Sequence, residues 1–257
     1  MPPHVPVVRI AGFLDELLDV RRYAESELSN GLLLDTGLPV HRIAAAVNTS
    51  FAATNASQAA GAGLLLVHHA TWASIDHQLR ARKEAALRAA NISLYAAHAA
   101  LDCHPVFGNS DALARLLQVR IDGRFGTYAG GQAGVFGQAS GSLTEFIERI
   151  AAVLGVSPEV WENSPSFGQV AILAGGGGWT GLLREAQTLG CDTYVTGEGS
   201  MYTVLYARET EMNLVLGTHY ATEMHGIQTL ASHVGERFGL PWQFISDALT
   251  GGRRVRI

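Results

Sequence analysis

Four short apolar runs in this sequence are each followed by histidine or acidic residues, the side chains that commonly bind metal ions. The runs are GLLLV (63–67), ISLYAA (92–97), TYVT (193–196) and NLVL (213–216). The residues that follow them are His68 and His69, His98 and Asp102, Glu198, and His219 and Glu223. Each run is predicted to be a buried strand, and ligand sites in open α/β sheets lie at the carboxyl ends of the strands. The pattern therefore predicts a metal site that holds more than one ion.

The types of ligand restrict the metal and suggest its chemistry. Histidine nitrogen and carboxylate oxygen together suit zinc, iron, manganese, cobalt or nickel. Because a carboxylate can bridge two ions, Asp102 and Glu223 are the natural bridging candidates. Two divalent ions about 3.5–4 Å apart can activate a water molecule and stabilise a developing oxyanion. His98 and Glu198 are predicted to lie close enough to transfer protons.

Each of these residues, taken alone, also has a structural explanation. The His68–His69 pair could be structural, Asp102 could cap a turn, and Glu198 could be a loop acid. Their joint occurrence at predicted strand ends favours the metal site. Cys103, beside Asp102, is predicted to be a buried and inert thiol. The other histidines are predicted to be surface or packing residues (His4, His41, His233) or residues near the site that also fit solvated loops or helix faces (His77, His104, His225).

Composition and charge argue against several classes of protein. The chain has 257 residues, 47% of them hydrophobic, which is enough for one large or two small globular domains. Its formal net charge of −5 argues against general nucleic-acid binding. Two distant cysteines, Cys103 and Cys191, argue against a disulfide framework and favour the cytoplasm. Neither a signal peptide nor an apolar stretch of the roughly 20 residues that span a bilayer is recognisable, so no membrane association is expected.

Strand and helix patterns alternate along the chain, which predicts an α/β fold with parallel or mixed sheets. The segment 122–141 is rich in glycine and is predicted to form turns around one short strand, GVFG. A long helix is predicted from about residue 222, with Ile227, Leu230, Val234 and Phe238 on its apolar face. The chain is therefore predicted to form two α/β lobes, an N-terminal lobe of residues 1–125 and a C-terminal lobe of residues 126–257.

A glycine-rich turn, Gly175 to Gly178, follows the predicted strand VAILA and precedes a predicted helix. Backbone N–H groups bind phosphate in this context. The lysine and the hydroxyl residue of a phosphate-binding P-loop are absent, however. The alternative is that the glycines allow a tight turn close to the metal pocket.

Several segments resemble one known family along nearly the whole chain. The segments are LLLVHHATW, LYAAHAALD followed by GN, LAGGGGWTGLLREAQTLGCDTYVTGE, and GTHYATE. They resemble the Nif-three-like family, also labelled GTP cyclohydrolase I type 2 homologues or dinuclear metal centre hexameric proteins. The resemblance implies two α/β lobes that face a shared cleft, a homohexamer, and two divalent metal ions per chain. It implies that the metal ligands are His68, His69, Asp102, His219 and Glu223.

The sequence departs from the family pattern around these ligands. Ala70 replaces the proline that usually follows the histidine pair, and Ala97 and Ala99 replace two hydroxyl residues beside His98. Glu198 replaces the usual aspartate, and a histidine common shortly after it is replaced by Tyr202. The polar surroundings of the ligands are thus reduced, and such surroundings tune both the ligands and metal-bound water.

Three functions are compatible with these features. The first is a metal-dependent hydrolase acting on a small polar substrate, such as a nucleotide or a pterin-like compound. The second is a non-catalytic metal-binding scaffold or interaction protein. The third is a regulator that binds a nucleotide at the glycine turn. The complete set of predicted ligands favours the hydrolase.

Overall fold

The computed structural model describes residues 4–26, 29–71 and 76–246, which form a mixed α/β protein as predicted. The helices are α1 (Val7–Leu17), α2 (Val20–Tyr23), α3 (Phe51–Ala59), α4 (Leu79–Ala89), α5 (Ala99–Asp102), α6 (Asn109–Leu116), α7 (Leu143–Leu154), α8 (Thr180–Thr188), α9 (Met201–Glu209) and α10 (His219–Phe238). The strands are β1 (Val5–Pro6), β2 (Gly31–Leu34), β3 (Pro39–Val40), β4 (Ile43–Asn48), β5 (Leu64–His69), β6 (Ser93–Ala96), β7 (Arg120–Tyr128), β8 (Gly131–Gln138), β9 (Glu159–Trp161), β10 (Gln169–Leu173), β11 (Thr193–Thr196), β12 (Asn213–Leu216) and β13 (Trp242–Phe244). Among the described residues, no helix combines the length and apolar character needed to cross a bilayer.

The first large sheet has the strand order β13-β4-β5-β6-β2. Strands β13, β4, β5 and β6 run parallel, and β2 is antiparallel to β6. The central strands are apolar and buried except at their ends, which carry polar residues, because both faces of the sheet are covered. Strand β5 continues through the histidine pair, so His68 and His69 are its last two residues rather than the residues after it.

The second large sheet has the order β7-β8-β10-β11-β12-β9, with a parallel centre of β10, β11 and β12. Its first two strands correct the prediction for 122–141, because β7 and β8 form a long antiparallel hairpin there instead of turns around GVFG. Glycine serves close packing in this hairpin. A Cβ added at Gly134 would lie 2.5 Å from the Phe125 ring, and one at Gly137 would lie 1.9 Å from the Arg120 carbonyl oxygen.

Helix α10 connects the two large sheets. It follows β12 of the second sheet but packs against β4 and β5 of the first. The predicted apolar face is confirmed, since Ile227, Leu230 and Val234 are fully buried in the core around the first sheet and Phe238 packs against it. The helix begins at His219 rather than near residue 222, with the Thr218 hydroxyl accepting a hydrogen bond from the Ala221 amide.

The two sheets do not divide the chain at a single point. The predicted boundary between residues 125 and 126 falls inside β7. Every described strand between residues 120 and 216 belongs to the second sheet. Strand β13, near the end of the described residues, pairs with β4 in the first sheet. The segment that forms the second sheet is therefore inserted into the segment that forms the first. After it, α10 packs against the first sheet and β13 pairs within it.

Candidate metal centre

The predicted metal ligands come from three parts of the fold that meet at the carboxyl ends of central strands. His68 and His69 end β5, and Asp102 ends the short helix α5, which follows β6. His219 and Glu223 lie one helical turn apart at the start of α10, which follows β12. The structure thus brings these residues from both large sheets to one place.

Glu223 is the centre of this cluster. Its Oε1 atom lies 3.1 Å from His219 Nε2 and 3.5 Å from His68 Nε2. Its other oxygen, Oε2, lies 3.1 Å from His69 Nε2. Asp102 Oδ1 lies 3.6 Å from His68 Nε2, so one imidazole lies between the two carboxylates. His68 and Glu223 are buried. Burial of so many charged or polar groups has a high energetic cost unless a strong partner compensates for it.

The second nitrogen of each of these imidazoles contacts an acceptor outside the cluster. The contacts are His68 Nδ1 to the Ala97 carbonyl oxygen (2.7 Å), His69 Nδ1 to Asn48 Oδ1 (2.8 Å) and His219 Nδ1 to Glu198 Oε1 (3.2 Å). An imidazole that donates its Nδ1 proton outward presents the lone pair of Nε2 inward. This arrangement is typical of metal-binding histidine, in which the outer partner fixes the tautomer and the ring orientation.

Sequence analysis missed two asparagines that support the cluster. Asn48 ends β4 and is paired in register with His69 on β5. Asn109 begins α6, and its Nδ2 lies 2.8 Å from Asp102 Oδ1 and 3.2 Å from His68 Nε2. The only signal for Asn48 was its place as a polar residue at the end of an apolar run, next to the predicted strand that carries the histidine pair.

Burial and neighbouring carboxylates act in opposite directions on the pKa values of this cluster. Burial lowers the pKa of His68, but the charges of Asp102 and Glu223 outweigh burial and raise that pKa to about 9. The pKa of His219 is raised to about 9 in the same way, by Glu223 and Glu198 against the effect of burial. Burial favours a neutral Glu223, but the charge of His68 and the hydrogen bonds from His219 and His68 hold its pKa well below the usual range. The cluster therefore retains an ionised carboxylate in a buried position.

The residues of the cluster fit a bound metal ion. Glu223 Oε2 is buried and, among the described residues, has no hydrogen-bond donor. Burial lowers the pKa of His69. A neutral His69 that donates from Nδ1 to Asn48 faces this oxygen with a lone pair, and two acceptors are then in contact. A cation between them would satisfy both atoms.

Within the part of the chain that the structure describes, three overlapping groups of ligand atoms could each hold an ion, with the atoms of a group all within 4.8 Å of one another. The groups are His68, His69 and His98; His69, His219 and Glu223; and His68, Asp102 and Glu223. The imidazole and carboxylate donors suit the divalent transition metals predicted from the sequence.

His98 and Glu198, the residues predicted to transfer protons, occupy different positions. The His98 ring centroid lies 4.9 Å from that of His68, and its Nδ1 lies 3.3 Å from the Tyr128 hydroxyl. His98 is thus close enough to be a ligand itself, in addition to the proton transfer predicted for it. Glu198 is largely exposed and contacts His219 on the side away from Glu223. Its position is that of a residue that orients a ligand.

The glycine turn lies directly against the cluster. Gly175 has a φ of +74°, and a Cβ there would lie 2.0 Å from Glu223 Oε1. The Gly175 amide donates to the Thr222 hydroxyl, and its carbonyl accepts from the amides of Gly197 and Glu198. Any larger residue would displace the central carboxylate. This position therefore favours the tight turn near the metal pocket over the phosphate-binding interpretation.

The departures from the family pattern fall in different environments. Ala97 supplies its carbonyl oxygen to His68, a contact that does not need a side-chain hydroxyl. Ala70 and Ala99 are buried, whereas Tyr202 is 65% exposed on α9. Cys103 is buried, as predicted, and burial raises the pKa of its thiol to about 11.

None of the other described histidines belongs to these metal groups. His233 packs between the rings of Phe13 and Phe107, as a packing residue should, and His4 contacts His41. The other three occupy a loop or a helix face: His77, His104 and His225.

A cavity of about 560 Å³ opens onto the cluster. His98, Asp102, His219 and Glu223 line one side of it. The remaining wall is mostly apolar and comes from the β7–β8 hairpin, the end of β10 and the start of α8. This volume is in the range of small-molecule sites.

Asn48→Ala is expected to weaken metal binding about 10- to 100-fold while leaving the fold intact. Without the amide oxygen, the His69 ring loses the acceptor that fixes its tautomer and orientation. Isothermal titration with Zn²⁺ measures the change. Asn48→Asp keeps an acceptor at this position and should restore the affinity. Equal affinity in Asn48→Ala and the unmodified protein would contradict the role assigned to Asn48.

Comparison with protein families gives a match over almost the whole chain. A family model described as Duf34/NIF3 (NGG1p interacting factor 3) matches residues 5–248. A protein of Deinococcus radiodurans named GTP cyclohydrolase 1 type 2 homolog is 35% identical over 241 residues, which cover 91% of this chain and 90% of the relative.

Solved structures share the same fold over similar lengths. The protein ybgI, described as of unknown function, is 28% identical and superimposes with a TM-score of 0.84 over 94% of this chain and 98% of that one. A protein from Thermus thermophilus is also 28% identical, with a TM-score of 0.81 over 96% of this chain and 100% of that one.

Proposed function

The chain belongs to the Duf34/NIF3 family, and we propose that it is a metal-dependent hydrolase that holds two divalent ions between its two large sheets. The proposed ligands are His68, His69, Asp102, His219 and Glu223. The substrate is a small polar molecule, such as a nucleotide or a pterin-like compound. The name of the Deinococcus relative is compatible with this class of substrate.

The observation that carries the proposal is the position of Glu223. One buried carboxylate faces three imidazole nitrogens, and its two oxygens face different imidazoles. A carboxylate in this position is suited to bridge two ions. The outward hydrogen bonds of the imidazoles hold the ligand geometry before metal arrives, which lowers the cost of binding.

Residues of this chain can assist the proposed hydrolysis by holding a proton and by excluding water from the bound substrate. Bound divalent ions supply Lewis acidity and lower the pKa of water. His98 lines the cavity beside Asp102 and can hold a proton at its imidazole, with the Tyr128 hydroxyl against Nδ1. The apolar part of the wall excludes water around a bound substrate, which strengthens electrostatic contacts there.

We also propose that the protein acts as a homohexamer in the cytoplasm. The assembly follows from the resemblance to the family, and the location follows from the small number of cysteines. We propose a small molecule as the partner of this protein, because the size of the cavity suits one. The net charge of −5 argues against a nucleic acid as the partner, and no membrane partner is proposed.

A non-catalytic scaffold is the second candidate, and the topology favours it specifically. His68 and His69 belong to the first sheet, whereas Glu198 follows β11 of the second sheet and contacts His219. Metal bound by these elements would fasten the two sheets together, and its binding energy would contribute to folding.

Turnover of a panel of phosphate-ester, amide and cyclic amidine substrates by metal-loaded protein tests the hydrolase. We expect activity that falls by at least about 1,000-fold in His68→Gln, because a metal ligand is lost. His41→Gln, at an exposed histidine outside the cluster, is the matched control and should retain full activity. Lack of turnover with every metal, together with a large loss of thermal stability on chelation, would favour the scaffold instead.

A further inference from the structure

A second cavity adjoins the one that contains the proposed metal ligands. Its volume is about 490 Å³, and Gly176 and Trp179 line both cavities. The remaining wall of the second cavity comes from the glycine turn and the start of α8, and from the segment that follows β11 and the first turn of α9. A ligand that reaches His219 and Glu223 in the first cavity can therefore extend past Gly176 into the second.

Among the described residues, two exposed aromatic side chains line the second cavity. Trp179 is 74% exposed and Tyr202 is 65% exposed. Exposure of large aromatic rings beside a concave site marks a binding surface, because leaving them in water forgoes the gain from burial. Their rings offer flat, apolar faces with polar tips.

The charge of the second cavity argues against phosphate as its occupant. Glu198 is the charged residue in its lining, and neither lysine nor arginine lines it among the described residues. A phosphate group would face this carboxylate without a cationic partner. An aromatic ring without negative charge requires no such partner and gains from stacking.

We propose that the second cavity binds a planar aromatic ring of the substrate, stacked against Trp179 and Tyr202, while the reacting end of the substrate lies at the proposed metal ligands. The inference rests on the proposed function and narrows its substrate class to molecules that carry such a ring. Gly176 lines both cavities and therefore lies between the aromatic ring and the reacting end of the proposed substrate. A Cβ there would lie in ordinary contact, 3.7 Å from His219 Cε1, so a side chain longer than alanine would narrow the passage.

The test is the binding of guanosine to metal-loaded protein, with ribose 5-phosphate as a probe that carries phosphate but no aromatic ring. Trp179→Ala should weaken guanosine binding about tenfold or more, because one stacking face is lost. Trp179→Phe should retain most of the affinity. Ribose 5-phosphate should bind equally to all three proteins. Calorimetry gives the dissociation constants, and elemental analysis verifies equal metal content.

Met201→Ala is the matched control, since Met201 is 70% exposed on α9 but lies outside the described lining of both cavities. It should leave guanosine binding unchanged. An unchanged guanosine affinity in Trp179→Ala would overturn the proposal, as would an equal loss of guanosine affinity in Met201→Ala. Because binding is measured without turnover, an inactive protein that still shows the Trp179 effect would refute the hydrolase and keep the aromatic subsite.

Discussion

Glu223→Gln is expected to leave the purified protein with almost no bound metal. The carboxylate faces the Nε2 atoms of His68, His69 and His219 with its two oxygens. Glutamine has the same shape, but it has no charge and directs an NH₂ group at one of these positions. We expect metal content to fall from the proposed two ions per chain to near zero, which corresponds to an affinity loss of at least about 100-fold. Elemental analysis after dialysis measures the content.

Two matched variants separate the loss of a ligand from a general loss of charge. Asp102→Asn removes a carboxylate that contacts only His68 within the cluster, and it should retain about one ion. Glu198→Gln removes the exposed carboxylate behind His219, and it should retain both ions with weaker affinity. Circular dichroism establishes that each variant is folded. A Glu223→Gln protein with the metal content of the unmodified chain would refute the central role of Glu223.

The metal-free protein is expected to lose stability as the pH rises from about 6.5 to 9, whereas the metal-loaded protein should not. The folded pKa values of His68 and His219 are raised to about 9 from an ordinary value of 6.5. A group with a raised folded pKa contributes stability that is complete below its unfolded pKa and is lost as the pH passes through its folded pKa. The free energy of unfolding of metal-free protein should fall by roughly 1–3 kcal/mol over this interval, since His219 is partly exposed and screened.

Glu223 should make the stability of the metal-free protein fall at acidic pH as well. Its pKa is held well below the ordinary value of 4.5, so its contribution is present above 4.5 and is lost as the pH falls through the folded value. Between these limits, metal binding must displace protons from His68 and His219, and the affinity for metal should rise with pH. The gap in melting temperature between metal-loaded and metal-free protein should therefore widen from pH 6.5 to 9.

Melting curves of chelated and metal-loaded protein across this interval measure the effect, and calorimetry in buffers of different ionisation enthalpy measures the released protons. Glu223→Gln is the control. Without the central carboxylate, each of these imidazoles loses one of the two carboxylates that raise its pKa, and the pH dependence of metal-free stability should be reduced. A constant melting temperature of chelated protein from pH 6.5 to 9 would contradict the ionic cluster.

The sequence indicated the candidate site because its signals are local. His68 and His69 end an apolar run, and His219 and Glu223 have the spacing of one helical turn. The carboxyl ends of parallel strands lie at one edge of a sheet, so residues there can be expected to meet. The same locality explains the errors. Glycine at 122–141 indicated turns, since a sequence does not display the rings of Phe125 and Phe136 that require close packing in the β7–β8 hairpin.

The contacts around the ligands could not be inferred from neighbours in the chain. Asn48 reaches His69 because β4 and β5 pair in register, and Asn109 reaches Asp102 because α6 begins beside the cluster. Helix α10 follows the second sheet but packs on the first, which depends on the fit of its buried face to side chains far away in sequence.

The sequence by itself determined the α/β class, the central strands and a set of candidate residues at their ends, because apolar runs and helical spacing are properties of neighbouring residues. The resemblance to a known family then singled out five of these residues as the expected ligands. Only the tertiary structure decided that Glu223 is the centre of the cluster, that His98 joins a possible ligand group and that Glu198 lies behind His219. Those relations depend on how two sheets and one connecting helix pack, and packing is set by contacts between residues that are remote in the chain.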